Sequence, residues 1–60
     1  EINEAFKLFS EAESYLRRKK LKIYMGPILI NLGRIHLLLE NFSKAEATLH
    51  EGLKYALELK

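Results

Sequence analysis

Backbone punctuation in this 60-residue chain is confined to Gly26, Pro27, Gly33 and Gly52, and that scarcity limits the fold more than any other feature. Tight turns and irregular loops draw on Gly and Pro. With so few of them, and with Leu, Glu, Lys and Ala abundant, the chain is committed to helices. Where the breakers fall then sets the number of helices. The Gly26-Pro27 pair marks a helix start, because Pro at the first helical position gives up no hydrogen bond. A second start follows Glu40 and Asn41, where Ser43 and Glu46 form a capping box. The sequence therefore predicts one small all-α domain of three helices, over about 3–19, 27–39 and 43–59. The same residues leave open a second helix that begins near Leu21 and kinks at Pro27. Joints of about two to eight residues pack such helices antiparallel.

Each predicted helix carries its own apolar pattern. Ile2, Ala5, Phe6, Phe9, Ala12 and Leu16 recur at spacings of three and four, with Leu8 and Tyr15 widening the stripe. Glu13 and Arg17 stand at i, i+4 on the outer side. The third helix repeats the pattern with Phe42, Ala45, Leu49, Leu53 and Ala56, and pairs Lys54 with Glu58. The second helix is apolar nearly all round, from Ile28 to Leu39, so it must be covered on several sides. One neighbour on each flank leaves part of it bare.

Charge and composition exclude several classes of function. No apolar run approaches the roughly 18 residues of a membrane-spanning helix. The absence of Cys rules out disulfides and thiolate metal sites. His36 and His50 are separated by 14 positions on different helices and match no metal-ligand spacing. His36 reads as a packed histidine, and the residues suggest no catalytic group, cofactor or metal. Arg17, Arg18, Lys19, Lys20 and Lys22 hold five of the ten cations, which makes one basic joint on an otherwise mildly acidic body. Cations in the last turn of a helix offset its dipole. Nucleic-acid binding by this joint, with Tyr24 as a stacking platform, is the weaker reading.

A repeat is visible at a shift of 40 residues, where Ile2, Ala5, Phe9 and Ala12 fall on Phe42, Ala45, Leu49 and Gly52. The run NLGRIHLLLENFSKAEATLHEGL resembles the tetratricopeptide repeat. Leu32 and Gly33 match its Leu-Gly pair, Phe42 the aromatic opening its second helix, and Ala45, Leu49 and Gly52 its small-large-small series. Gly33 costs about 1 kcal/mol inside a helix, which suggests the close approach of another backbone. Leu29, His36, Glu40 and Leu57 depart from the pattern, standing where the family often has Trp, Tyr, Gly and Pro. The long period resembles Leu-Gly-Asn repeat proteins, kinesin light chains and bacterial peptide-responsive regulators.

The resemblance implies an α-solenoid fragment, the second helix of one repeat followed by a complete repeat. It also implies a protein-binding scaffold whose central helix presents a concave face. Carried over by position, that face holds Pro27, Ile30, Asn31, Arg34, Leu37 and Leu38. Asn31 would hold the backbone of a bound peptide through its paired donor and acceptor, and Arg34 would fork to a carboxylate. Ile30 and Leu37 can equally be core beneath a neighbouring repeat, Asn31 can equally serve only a local polar contact, and Arg34 can equally be an ordinary solvated cation. The expected partner is a protein or peptide, or neighbouring repeats of a longer parent, with homodimerisation as the rival. An intracellular, cytoplasmic adaptor is the expected setting.

Overall fold

A computed structural model describes residues 1–58 of the chain. It is all-α, with three helices: α1 Ile2–Lys19, α2 Met25–Leu38 and α3 Phe42–Glu58. A short 3-10 turn, Lys22–Tyr24, leads into α2. The start of α2 is a correction to both sequence readings. Pro27 occupies the third position of the helix, because every N–H of the first turn lacks an intrahelical acceptor and Pro is tolerated at any of them. The start of α3 moves as well. Ala45 N–H donates to the Asn41 carbonyl at 2.9 Å, which places Asn41 at the flanking position and Ser43 inside the first turn. The predicted end of this helix at Leu59 lies outside the described residues.

Both joints are built the same way. At the end of α1, Leu21 N–H donates to the Leu16 carbonyl at 3.0 Å and Lys20 N–H to Arg17 at 3.2 Å. At the end of α2, Asn41 N–H donates to His36 at 2.8 Å and Glu40 N–H to Leu37 at 3.0 Å. This paired pattern is a Schellman closure, which needs a left-handed residue at its centre. Lys20 at φ 57° and Glu40 at φ 61° supply it, although neither is Gly or Asn. Glu40 holds the position at which the tetratricopeptide pattern has Gly, and the positive φ explains why Gly suits that place.

α2 is the central element and packs against both neighbours. Phe6, early in α1, meets His36, late in α2, while Leu16 at the other end of α1 packs with Met25 and Leu29. Gly26, early in α2, lies against Gly52 and Ala56, late in α3, and Gly33 lies against Leu49. Both pairs therefore run antiparallel. The α2–α3 contact is close because it is made by glycines: a Cβ on Gly52 would stand 3.3 Å from the Gly26 carbonyl oxygen, and one on Gly33 would stand 2.5 Å from Leu49 Cγ. The core consists of Leu16, Met25, Leu29, Leu32, Ile35 and Ala45, with Ile28 and Tyr55 packed against part of it.

Two apolar expectations are corrected by this packing. Leu8 and Tyr15 do not widen the buried stripe of α1; they are exposed on its outer side. On α3 the buried line runs through Ala45, Leu49, Gly52 and Tyr55, which leaves Phe42, Leu53 and Ala56 exposed. The small residues set that line, since only they admit α2 at this distance, and the face turns toward them. The expected Lys54–Glu58 pair does not form either. Among the described residues the ion pairs are those of Arg17, which reaches Glu13 at 2.7 Å and Glu51 at 3.1 Å. The second pair ties α1 to α3. Hydrogen bonding to Glu13, reinforced by Glu51, outweighs desolvation and raises the Arg17 pKa above its ordinary value.

Candidate interaction surface

The first turns of α2 and the last turns of α3 border an open cleft of about 570 Å³ beside the Gly26–Gly52 contact. Ile23, Pro27, Ile30, Asn31, Arg34 and Tyr55 line it, with Gly26 and Ala56 at its base. Pro27, Ile30 and Arg34 lie on one side of α2 because they follow the i, i+3, i+7 spacing of a helix face. Tyr55 closes the cleft from α3, and Ile23 closes it from the turn before α2. The lining is mostly apolar with two polar groups, the composition of a recognition cleft.

Of the residues predicted to contact a partner, Ile30, Asn31 and Arg34 are brought together here, and Pro27 joins them. Leu37 and Leu38 are not part of the cleft. They lie a turn or more farther along α2 and are 45% and 72% exposed, near Phe42 at the opposite end. Asn31 makes the local polar contact, one of its two expected roles. Its Nδ2 donates to the Pro27 carbonyl at 3.0 Å, four residues earlier in the same helix, so one donor is already engaged. Its acceptor oxygen and second N–H are the groups left for a ligand. Arg34 is exposed and makes no ion pair among the described residues, unlike Arg17.

The residues matching the repeat pattern divide in a similar way. Leu32, Gly33, Ala45 and Gly52 are buried and Leu49 is half-buried against Gly33, whereas Phe42 is 64% exposed. His36 is half-buried, with its ring edge-on to Phe6 at 5.4 Å and its Nδ1 buried without a partner. It is a packing residue. Sequence reasoning missed Tyr55 and Ile23 in the cleft. Tyr55 was findable, because it stands three positions after Gly52 on the small-residue line; Ile23 carried no signal, because it belongs to a turn.

Among the described residues no group of three or more His, Cys, Asp or Glu could hold a metal ion, and no helix is long and apolar enough to cross a membrane. The chain matches no family model, no curated protein and no solved structure.

Proposed function

We propose that this chain is a tetratricopeptide-like interaction segment that binds an extended, apolar protein segment carrying a carboxylate. The observation that carries the reading is the cleft that gathers Ile30, Asn31 and Arg34 beside Tyr55. A partner's apolar side chain would cover Ile30 and Tyr55. The Asn31 oxygen would accept from a backbone N–H, and the Arg34 guanidinium would pair with the carboxylate. The binding face then spans the start of α2 and the end of α3, not the whole length of the central helix. The test is selection from a displayed random peptide library on the native chain, followed by affinity measurement on Ile30→Glu and Arg34→Glu. Peptides with an apolar residue close to Asp or Glu, weakened by both substitutions, are expected. Peptides that bind all three proteins equally would remove the cleft from the mechanism.

Self-association is the second reading, and one observation favours it. Among the described residues eleven large apolar side chains are exposed while five are buried, so much of the apolar surface still lacks a cover. Leu53 and Leu57 form an exposed i, i+4 pair on α3, in a hollow separate from the cleft. A sedimentation mass that rises with concentration, and falls back in Leu53→Glu, would favour this reading over a peptide partner.

A further inference from the structure

The cleft leaves one charged surface unexplained. Residues 17–24 are eight consecutive exposed positions, held at both sides by buried Leu16 and Met25. They form the end of the bundle at which α1 passes into α2. Arg17 is committed to Glu13 and Glu51, whereas Arg18, Lys19, Lys20 and Lys22 make no ion pair among the described residues. Arg17, Lys20 and Lys22 also converge on a hollow of about 180 Å³ floored by Leu16, Met25 and Tyr55. At the opposite end of a molecule 29 Å long, Glu1, Glu4 and Glu40 stand with Lys7 and Lys44, so charge there is mixed. Arg18, Lys19, Lys20 and Lys22 are the densest run of one sign in the chain, and their end faces any negative surface first.

The second observation is apolar and independent of the charge. Between and beyond the lysines, Leu21, Ile23 and Tyr24 are 39%, 65% and 57% exposed. A cationic end that served only to neutralise the α1 dipole would not need three apolar side chains in water beside it. Cations flanking aliphatic side chains are the combination that holds a protein at the boundary of headgroups and acyl chains, with Tyr at headgroup level. Nucleic acid fits less well. Single strands bind on successive aromatic platforms, whereas Leu21 and Ile23 offer no π-face and the Tyr15 ring already faces the Arg18 guanidinium at 5.9 Å.

We infer that the α1–α2 end of the bundle seats on an anionic bilayer surface, with Arg18, Lys19, Lys20 and Lys22 among the headgroups and Leu21, Ile23 and Tyr24 at the acyl boundary. Lys20 and Lys22, which line the hollow beside Leu16 and Met25, pair there with a lipid phosphate or carboxylate, Arg17 being held by Glu13 and Glu51. This contact is peripheral, as the absence of a spanning helix among the described residues requires. Each cation near such a surface strengthens binding roughly fivefold, and the effect fades within a Debye length.

The experiment is flotation of the purified chain with vesicles of phosphatidylcholine alone and of phosphatidylcholine with about 30% phosphatidylserine, the lipid that gives the negative leaflet its potential. Binding to the anionic vesicles only, strongly reduced at about 1 M salt, is expected. Lys20→Gln with Lys22→Gln should weaken it roughly 25-fold, from two cations at about fivefold each. Ile23→Asn should weaken it roughly tenfold by removing an inserted side chain. Lys7→Gln with Lys44→Gln, at the other end, should leave it unchanged, and circular dichroism confirms equal helicity for every variant. No binding to anionic vesicles overturns the inference, as does equal binding to neutral ones. Full retention in Ile23→Asn overturns the insertion. A single-stranded oligonucleotide that displaces the chain from the vesicles would reassign this end to nucleic acid.

Discussion

The three glycines of the α2–α3 contact should respond to the same substitution to different extents. Replacing Gly by Ala inside a helix gains about 1 kcal/mol of propensity wherever the new methyl finds room. Across the helix interface it does at Gly26, where the nearest atoms would be the Gly52 carbonyl oxygen at 3.5 Å and Ala56 N at 3.8 Å, ordinary contacts. Gly26 is the second residue of α2, where only part of the propensity gain applies, and a Cβ placed before Pro27 in helical backbone meets the proline ring, so the two effects oppose and Gly26→Ala should change stability by less than about 0.5 kcal/mol. At Gly33 the methyl would stand 2.5 Å from both Cγ and Cδ2 of Leu49, with Leu49 N at 3.4 Å. Cγ is fixed by the first side-chain torsion, so relief requires an off-rotamer Leu49 or separation of the helices, an overpacking cost of about 1–3 kcal/mol. Gly33→Ala should therefore destabilise by about 1 kcal/mol after the propensity gain is subtracted. Gly52→Ala falls between them, because its methyl would press at 3.1 Å on Leu29 Cβ and at 3.3 Å on the Gly26 carbonyl oxygen. Urea titration followed by far-ultraviolet circular dichroism reads the order as midpoints at constant slope. In a Leu49→Ala background the penalty at Gly33 should disappear, giving a coupling of about 1 kcal/mol or more. A Gly33→Ala midpoint at or above that of Gly26→Ala would refute the packing argument.

Three further outcomes are expected. Lys20→Gly and Glu40→Gly should each raise thermal stability by about 0.5–1 kcal/mol, because a left-handed residue with a Cβ costs about 1–2 kcal/mol and Gly returns part of that as unfolded-state entropy. Unchanged or lowered melting temperatures would deny the left-handed closures. Glu51→Gln should cost no more than about 1 kcal/mol, since the Arg17 pair is 40–43% exposed, and the difference should vanish at high salt. A salt-independent loss would mean that Glu51 holds α1 to α3 by something other than charge. His36→Phe should stabilise by about 1 kcal/mol, by removing a buried Nδ1 that has no partner while keeping the contact with Phe6; a clear destabilisation in chemical denaturation would show that the nitrogen is satisfied.

The helices were legible because local rules decide them: three amphipathic or apolar segments, separated at the only places where the residues change character. The ends of α1 and α2 fall within a residue of expectation, at Lys19 and Leu38, whereas α2 and α3 start earlier, at Met25 and Phe42. How the two ends are closed was not legible. Lys20 and Glu40 adopt a conformation that residue type assigns to Gly or Asn, and only the closing hydrogen bonds reveal it. Helix faces were readable to within one residue of rotation. Leu53 fits the α3 stripe by spacing, yet the small surfaces of Ala45 and Gly52 determine which side α2 can approach, so Gly52 is buried and Tyr55 half-buried while Leu53 is exposed. The cleft was half legible: Ile30, Asn31 and Arg34 follow from their spacing on one helix, while Tyr55 and Ile23 arrive from other elements and depend on the packing. Asn31 shows the limit of reading role from type, because its amide suits a ligand and a local contact equally well, and only the fold shows one donor engaged by the Pro27 carbonyl.

Ile23 links the two proposals and sets the sign of their interaction. It walls the cleft at one edge and stands among the cations of the α1–α2 end, 65% exposed. Once inserted at an acyl boundary, the same side chain is withdrawn from a peptide lying against Tyr55 and Ile30. The peptide, by covering Ile23, removes the largest apolar contribution to membrane seating. Coupling between two ligands is reciprocal, so each must weaken the other by the same factor. A side chain of this size is worth about 1.5–3 kcal/mol when fully buried, and each ligand buries only part of it, which places the mutual effect near tenfold. The alternative is that peptide and bilayer share Ile23 between them, with the peptide held at the headgroup level. That arrangement requires positive coupling, so the direction of the effect distinguishes a bundle that releases its partner at the membrane from one that delivers it there.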